Sequence, residues 1–306
     1  MRPPVPAIGV IGAGAVGQTV STLLMGAGWC RELLIASGSP TSAEALVADL
    51  EDMQQVLDAS VLVRTAHPSQ MGHCAAVVVC PRAKFTNTAT ADVRMAGRAA
   101  NAPIVARLAH TLAGYTGTAI VVTNPVDVMT RLFAEISGSR QVYGLGSNTD
   151  TARYRLTLAH HLRVPVDAVD GQVIGEHGDD AVVCASSTRV GGLPVAVPFA
   201  EVRAELSARP RRINHGVGRA RAGPAGAVLA ALRAALGLTD GVIELCVNHD
   251  GRWRGIPLRF TAGQPTVCLP ALDHGEAQRL LNADNKLRTA YDTLTPHLTE
   301  QEANPE

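Results

Sequence analysis

The stretch "AIGVIGAGAVG", residues 7–17, joins a short apolar run directly to three spaced glycines. The run is typical of a buried strand, and the residues after it favour a helix. Glycines at this junction permit a tight turn and a close approach of backbone to a ligand, while the free N–H groups of the helix start attract phosphate. The pattern predicts a dinucleotide site with contacts from Gly12, Gly14, Ala15, Val16 and Gly17.

Four further apolar runs repeat the strand pattern through the first half of the chain. They are "ELLIA" (32–36), "SVLVRT" (60–65), "AAVVVC" (75–80) and "TAIVVT" (118–123). Continuous apolar runs are typical of parallel strands buried on both faces, and helix-patterned segments separate them. Alternating strands and helices form a parallel sheet with right-handed crossovers. We therefore expect an α/β fold that begins with a doubly wound (Rossmann) domain over residues 1–146.

The pattern changes after about residue 145, which predicts a second, α+β substrate domain over residues 147–306. Its expected elements are a helix at 150–162, irregular antiparallel strands around "GEHGD", a helix at 224–236, a hairpin that turns at Asp250-Gly251 and a C-terminal helix. The absence of a low-complexity linker between the halves predicts a shared interface.

Composition excludes several classes of function. The 306 residues contain 27 Lys and Arg and 27 Asp and Glu, so the formal net charge is zero and nucleic acid is not an expected partner. No apolar run has membrane-spanning length, and prolines stand where a signal peptide would need its apolar helix. Six scattered cysteines without a C-x-x-C pattern favour reduced thiols in a cytoplasmic protein, and no histidine has the spacing of a metal ligand.

Three polar motifs lie downstream of the glycine-rich turn. "TNPVD" (123–127) follows a strand, "SNTDTARYR" (147–155) places Asp150 three residues before Arg153 on a helix, and "GEHGD" (175–179) contains His177. Each has an ordinary explanation when taken alone, namely a turn, a surface ion pair worth under ~1 kcal/mol and a polar loop. Their order after the glycine-rich turn is what favours a functional site.

In this order the motifs resemble the lactate/malate dehydrogenase family from about residue 7 to about residue 295. The resemblance implies a nicotinamide-dependent oxidoreductase that acts on a 2-oxo or 2-hydroxy acid. It implies that His177 is the acid/base, that Asp150 accepts its second ring N–H and raises its pKa, and that Arg153 binds the substrate carboxylate. It also implies that Asn124 orients the substrate and contacts the nicotinamide ribose, before a cis bond to Pro125. Imidazole and guanidinium suit these tasks chemically.

The family carries a second catalytic arginine in a mobile loop, seven residues before an asparagine that begins N-x-x-I. Here "NAPI" begins at Asn101, a further expected cofactor contact, so this spacing indicates Arg94; Arg98 is the competitor. The preceding stretch is about three residues longer than in the family. The loop is therefore the part of the site that the resemblance defines least well.

Two positions bear on the substrate. Six residues before the loop arginine, malate enzymes carry arginine and lactate enzymes glutamine, whereas this chain has Thr88. Pro224 replaces a small hydroxyl residue of the family at the start of a helix, which makes that wall apolar. Both favour a monocarboxylic 2-oxo acid. A malate dehydrogenase remains the alternative if Arg82 or Lys84 reaches the substrate, and a catalytically idle dinucleotide-binding sensor or scaffold is the alternative outside enzymes.

The end of the second strand bears on the cofactor. An acid is expected about 20 residues after the glycine-rich turn to hold the adenosine ribose, but Ser37 stands there in "IASGSPTS". Without that carboxylate a 2′-phosphate is not repelled, so we expect Ser37 and Ser39 to contact NADP in preference to NAD. The family associates through helices, and a homodimer or homotetramer is therefore expected.

Overall fold

The computed structural model describes residues 5–294. The outermost residues of both predicted domains, 1–4 and 295–306, and with them His297, lie outside the described residues. None of the helices within residues 5–294 is long and apolar enough to cross a membrane.

The first half forms the predicted parallel sheet. Its strands are β1 (Ile8–Ile11), β2 (Glu32–Ala36), β3 (Leu62–Thr65), β4 (Ala76–Val79), β5 (Thr118–Val121) and β6 (Val142–Gly144). They pair in the order β3-β2-β1-β4-β5-β6, with every pair parallel. This order reverses direction at β1, as a doubly wound sheet requires. The five strands expected from the sequence are confirmed: β2 coincides with its apolar run, and each of the other four is two residues shorter than its run.

Helices cover both faces of this sheet. In the first half they are α1 (Ala15–Met25), α2 (Pro40–Leu57), α3 (Arg98–Thr111) and α4 (Val126–Ser137). Two short 3-10 turns precede β4 and α3, at Pro68–His73 and Met95–Gly97. Alternate side chains of β1 enter different cores, with Ile8 and Val10 on one face and Ile11 on the other.

The second half begins with α5 (Ser147–Leu162). It continues with β7 (Val169–Asp170), β8 (Val173–Gly175), β9 (Ala181–Val183), β10 (Arg189–Val190), β11 (Leu193–Pro194), α6 (Phe199–Val217), α7 (Ala222–Ala235), β12 (Gly241–His249), β13 (Arg252–Thr261), β14 (Gln264–Val267) and α8 (His274–Asp292). The expected hairpin is β12–β13, and its turn residues Asp250 and Gly251 both have positive φ. The helix α6 was not expected from the sequence.

The two halves share one sheet. Strand β12 pairs with β6 through Cys246 and Gly144, and β13 pairs with β8 through Gly255 and Gly175, so 11 strands are connected. Helix α7 joins the core beside α1, and α8 joins the core beside α4. The second half is therefore built onto the Rossmann sheet, which holds the strand ends of both halves in fixed relative positions.

Candidate active site

The motifs meet at the carboxyl edge of the parallel sheet. The glycine-rich turn follows β1, residues 80–94 follow β4, the "TNPVD" turn follows β5 and Gly146 follows β6. Residues 176–180, here called the histidine loop, connect β8 to β9 and reach the same edge. Ligands of doubly wound sheets bind where the strand order reverses, at this edge.

The glycine-rich turn fits a dinucleotide. Gly12 has φ +123°, and a Cβ there would lie 2.8 Å from the Cys80 carbonyl, while a Cβ on Gly17 would lie 1.7 Å from the Gly12 oxygen. A Cβ on Gly14 would meet no described atom within 4 Å, so internal packing does not explain this glycine. Helix α1, which contains Ala15 and Val16, has neither a side-chain cap nor an acid in its first turn. Its free N–H groups can therefore bind a pyrophosphate.

The end of β2 holds Ser37 and Ser39, the predicted adenosine-ribose contacts. The Ser37 hydroxyl accepts a hydrogen bond from the Ser39 N–H (3.3 Å), and Ser39 caps α2 through the Ser42 N–H (3.4 Å). Arg64, on the neighbouring strand β3, pairs with Glu32 at 2.7 Å, at the opposite end of β2. Ser37 is only partly exposed and Ser39 is exposed, which leaves the Ser39 hydroxyl at the surface of the turn.

His177 and Asp150, the acid/base pair that the resemblance implies, lie in hydrogen-bond contact. The Nδ1 of His177 lies 2.6 Å from Oδ2 of Asp150. An ionised carboxylate only accepts hydrogen bonds, so Nδ1 carries the proton and donates it. This leaves Nε2 as the ring atom available for a substrate. Gly146 packs against the ring, where a Cβ would come within 2.4 Å of the His177 Cγ, so glycine is required at this turn.

The electrostatics of the pair are set by burial and by arginines. Burial disfavours the Asp150 carboxylate, but the charges of His177, Arg94 and Arg153 outweigh it and bring the pKa of Asp150 below its usual range. The pKa of His177 is also lowered, first by burial and then by Arg94, against the opposing effect of Asp150. The sequence analysis expected Asp150 to raise the imidazole pKa, and its effect has that direction. The net pKa is lowered because burial and the arginine charges outweigh Asp150.

Both predicted arginines lie beside Asp150. Arg153 Nη1 donates to Oδ1 of Asp150 at 3.2 Å and is buried, and Arg94 Nη2 lies 4.0 Å from the same oxygen. Arg98, the competitor for the loop position, lies instead in a surface cleft beside Asn285 and Thr289 on α8. The structure therefore brings His177, Asp150, Arg153 and Arg94 together.

The segment 81–94, here called the arginine loop, connects β4 to the Met95–Gly97 turn. Thr88 and Lys84 are exposed, and Arg82 stacks on the Phe85 ring, with its guanidinium carbon 4.4 Å from the ring centre. Asn87 stabilises the loop internally, because its side-chain NH₂ donates to the Val93 carbonyl at 2.8 Å. Val93 directly precedes Arg94, so this hydrogen bond holds the loop one residue before the arginine.

Asn124 and Asn101 lie at the turn after β5. The Asn124-Pro125 bond is cis, as predicted, and Asn124 is exposed. The Asn101 amide is used inside the protein, since it accepts from the Ala83 N–H (2.8 Å) and donates to the Asn124 carbonyl (2.7 Å). Asn101 therefore ties the start of the arginine loop to the turn that presents Asn124.

Asp127 is a site residue to which the sequence analysis gave no role. Its Oδ2 accepts the backbone N–H of His177 at 2.8 Å, which fixes the histidine loop from below. Burial raises the pKa of Asp127 to about 7. The sequence signal for this residue is an acid inside the apolar segment "PVDVM".

Pro224 lies partly buried in the first turn of α7.

Comparisons with known proteins identify the family of the chain. The family model described as the NAD binding domain of lactate/malate dehydrogenase matches residues 7–144. An L-2-hydroxycarboxylate dehydrogenase (NAD(P)(+)) of Methanocaldococcus jannaschii is 30% identical over 81% of this chain and 83% of its own. The chain belongs to the lactate/malate dehydrogenase family. It is accordingly an NAD(P)-dependent dehydrogenase of 2-hydroxy acids.

Other members of the family match over different lengths. An L-lactate dehydrogenase of Deinococcus radiodurans is 31% identical over 62% of each chain. In structure, the malate dehydrogenase of Plasmodium falciparum superposes with a TM-score of 0.86, at 18% identity, over 96% of this chain and 99% of its own. A minor L-lactate dehydrogenase of Enterococcus mundtii gives 0.86 at 21% identity over 95% and 98%. These superpositions confirm the fold.

Metal chemistry has no candidate site in residues 5–294, where no group of three or more His, Cys, Asp or Glu side chains is placed to hold an ion.

Proposed function

We propose that the protein reduces a monocarboxylic 2-oxo acid to the 2-hydroxy acid, reversibly, and that it prefers NADP(H) to NAD(H). One observation carries the catalytic assignment. A single buried carboxylate, that of Asp150, holds the His177 ring on one oxygen and Arg153 on the other. A sensor or scaffold needs no such arrangement of an acid/base and a carboxylate-binding cation.

Each residue then has a defined task. The Arg153 guanidinium binds the substrate carboxylate as a two-pronged clamp. His177 gives the Nε2 proton to the substrate carbonyl oxygen during reduction and takes it back during oxidation. Asp150 keeps the ring in the required tautomer and orientation, and Arg94 stabilises the charge that develops on the oxygen. The bound nicotinamide supplies or accepts the hydride.

The glycine-rich turn and the start of α1 would hold the cofactor pyrophosphate, and Asn124 would contact its nicotinamide ribose. Asn101 supports that contact by fixing the Asn124 backbone. Ser37 supports the NADP preference, because it places no carboxylate at the end of β2 where a 2′-phosphate would lie. The preference therefore rests on the missing carboxylate and not on Arg64, which pairs with Glu32 at the opposite end of β2.

The neutral loop position supports a monocarboxylic substrate. Thr88 has no charge with which to bind a second carboxylate, and Pro224 adds an apolar, rigid wall. Arg82 is stacked on Phe85 and Lys84 is exposed, so both would have to change position to bind oxaloacetate. Malate dehydrogenase activity is the second candidate function, and it requires that Arg82 or Lys84 move to reach the second carboxylate of the substrate.

We further propose a homodimer or homotetramer in the cytoplasm. Large apolar side chains are exposed at the end of α2 and the start of β3, with Val56 84%, Leu57 54% and Leu62 66% accessible. Neighbouring exposed apolar side chains of this kind favour association. All six cysteines are free thiols, as expected in a reducing compartment.

A substrate panel tests the proposal. Pyruvate, longer and branched 2-oxo monocarboxylic acids and oxaloacetate would be assayed with NADH and NADPH by loss of absorbance of the reduced cofactor. We expect the highest kcat/KM for a monocarboxylic acid. Efficient turnover of oxaloacetate that disappears in Arg82→Gln would establish the malate alternative, and no turnover of any acid would contradict the proposal.

A further inference from the structure

Lysine is rare in this chain. Only two of its 27 Lys and Arg residues are lysines, Lys84 and Lys286. Lys84 is exposed in the arginine loop, whereas Lys286 lies on α8 with 22% of its side chain accessible, against the active site. A lysine at one partly buried position, in a chain that otherwise uses arginine, suggests that the position needs an ammonium group.

The contacts of Lys286 explain that need. Its Nζ lies 2.5 Å from Asp92 Oδ1, 2.9 Å from Glu176 Oε2 and 2.9 Å from Asp180 Oδ2. An ammonium has three N–H donors around one atom and can serve three acceptors that approach from different directions. The planar guanidinium of arginine has a fixed fork and does not match this arrangement.

The three acids belong to two different loops of the site. Asp92 lies in the arginine loop two residues before Arg94, and its carbonyl accepts the Met95 N–H (2.8 Å) at the start of the next turn. Its own N–H donates to Asp179 of the histidine loop at 2.9 Å. Glu176 directly precedes His177. Lys286 therefore connects the segment that carries the loop arginine to the segment that carries the acid/base.

The charges make the connection strong. Glu176 is buried, with 4% of its side chain accessible, and burial raises its pKa in spite of Lys286. The three carboxylates outweigh burial at Lys286 and raise the pKa of its ammonium, so the cation persists through the neutral range. Removal of the ammonium would leave Glu176 buried beside Asp92 and Asp180 without a cation, and mutual repulsion would favour movement of the arginine loop away from the histidine loop.

We propose that Lys286 is a positioning residue that holds the arginine loop against the histidine loop and so places Arg94 beside Asp150. The proposal rests on the function assigned above and adds a fourth element, α8, to the site. Helix α8 does not depend on Lys286 for its place, because Leu280, Leu287 and Tyr291 bury its other face. Loss of the ammonium is therefore expected to release the loop and to leave the fold intact.

Kinetics of four variants test the positioning role. In Lys286→Gln and in Asp92→Asn we expect kcat/KM for the 2-oxo acid to fall on the order of 10–100-fold, the cost of misplacing a catalytic group. The affinity for reduced cofactor should remain within about twofold, because the cofactor contacts lie elsewhere. Lys286→Arg should recover only part of the loss. The matched control is Arg288→Gln, which removes an exposed cation from the same helix and should match the wild type.

The double variant Lys286→Gln/Asp92→Asn distinguishes the loss of one shared contact from two independent effects on activity. Its kcat/KM should equal that of the worse single variant, since the two side chains act through one contact. Independent, multiplicative losses would overturn the proposal. Wild-type kcat/KM in Lys286→Gln, or full recovery in Lys286→Arg, would overturn it as well.

A second measurement does not depend on activity. The two lysines would be acylated with an N-hydroxysuccinimide acetate ester and followed by mass spectrometry, with exposed Lys84 as the internal reference. We expect Lys286 to react at least about tenfold more slowly than Lys84, because its raised pKa and three contacts suppress the reactive amine. Asp92→Asn should accelerate acylation of Lys286, and Arg288→Gln should not.

Equal acylation of Lys286 and Lys84 in the wild type would overturn the contact itself. Should no 2-oxo acid be turned over while Lys286 remains protected and responds to Asp92→Asn, the loop anchor would stand and the assigned reaction would be wrong. The two failures are thus distinguishable.

Discussion

At the scale of single residues, the site depends on one carboxylate with two tasks. Asp150 fixes the His177 tautomer through one oxygen and binds Arg153 through the other. Because Arg94 lies near the same oxygen, three positive or potentially positive groups surround one buried negative charge. The free site is therefore cationic when His177 is protonated, which suits it to an anionic substrate and determines how the imidazole titrates.

Replacement of His177 should slow the chemical step and leave cofactor binding unchanged. We expect His177→Gln to lower kcat by about 10²- to 10⁴-fold, the usual contribution of a positioned acid/base, with cofactor affinity unchanged. His160→Gln, on the exposed end of α5, is the matched control. Steady-state kinetics and cofactor fluorescence titration provide the measurements. Near-normal kcat in His177→Gln would contradict the role.

The lowered pKa of His177 predicts the pH dependence. Reduction needs the protonated ring, so its kcat/KM should fall tenfold per pH unit above the pKa of the free protein, which lies below the usual value of 6.5. A bound 2-oxo carboxylate would offset the charge of Arg153 and raise that pKa. The profile of kcat should therefore break at a higher pH than the profile of kcat/KM. Two identical breaks, or rates independent of pH between about 5 and 8, would contradict this mechanism.

Asp127 should make stability depend on pH in a defined direction. Its pKa is raised from 3.8 to about 7 in the folded state, so the folded protein binds a proton more tightly than the unfolded chain. Its contribution is present at low pH and is lost as the pH rises through about 7. Asp127→Asn should remove this slope from the free energy of unfolding and still accept the His177 N–H. Asp127→Ala should cost about 1–3 kcal/mol, because that N–H loses its acceptor. Urea denaturation at several pH values would show whether the Asn variant retains the slope, which would disprove the assignment.

At the scale of elements, the turn between β6 and α5 determines where the imidazole lies. Gly146 leaves room for the His177 ring, although the two residues are 31 positions apart in the sequence. A side chain at position 146 would displace the His177 ring and so lower activity without contacting a substrate.

Gly146→Ala should therefore lower activity by more than its loss of folding stability would explain. The added Cβ would come within 2.4 Å of His177 and displace the ring from Asp150, so we expect kcat to fall by about 10²-fold. Gly226→Ala is the matched control, because a Cβ on that exposed residue of α7 meets no described atom. It should keep full activity and raise the free energy of unfolding by about 0.5–1 kcal/mol, since alanine is the better helix former. Equal activity of the two variants would show that Gly146 has no part in positioning His177.

How much of these elements the sequence predicts depends on the range of the interactions. The five strands were found because each contains a continuous apolar run, a signal that needs no knowledge of its partners. The expected burial on both faces was wrong for β3, which is an edge strand in which only Val63 is buried. Helix α6 was missed because Val202 is its only fully buried residue and Pro210 interrupts it, so it shows no apolar stripe. The contacts of Lys286 with three acids had no signal at all, because ion contacts of residue 286 with residues 92, 176 and 180 leave no periodic pattern.

At the scale of the whole molecule, one continuous sheet explains why widely separated motifs form a single site. The β12–β13 hairpin connects β6 of the first half to β8 of the second through one bridge on each side. This connection could not be predicted, since the hairpin reads equally well as part of an independent sheet. Because the cofactor edge and the histidine loop share it, ligands bound at the edge should stabilise the entire chain.

This linkage allows cofactor preference to be measured without a substrate. A ligand that binds only the folded state adds about 2.7 kcal/mol to stability at a concentration of 100 times its Kd, so the better cofactor gives the larger rise in Tm. We expect a larger rise with NADPH than with NADH, because Ser37 presents no carboxylate to repel the 2′-phosphate. Ser37→Asp should reverse the order, since the new carboxylate repels that phosphate and binds both hydroxyls of an unphosphorylated ribose. Arg64→Gln is the control: its guanidinium is paired with Glu32 at the far end of β2, so the order should not change. A tenfold preference of the wild type for NADH, about 1.4 kcal/mol, would show that the serine-rich turn does not select the phosphate. Loss of the NADPH preference in Arg64→Gln would instead assign that selection to the arginine.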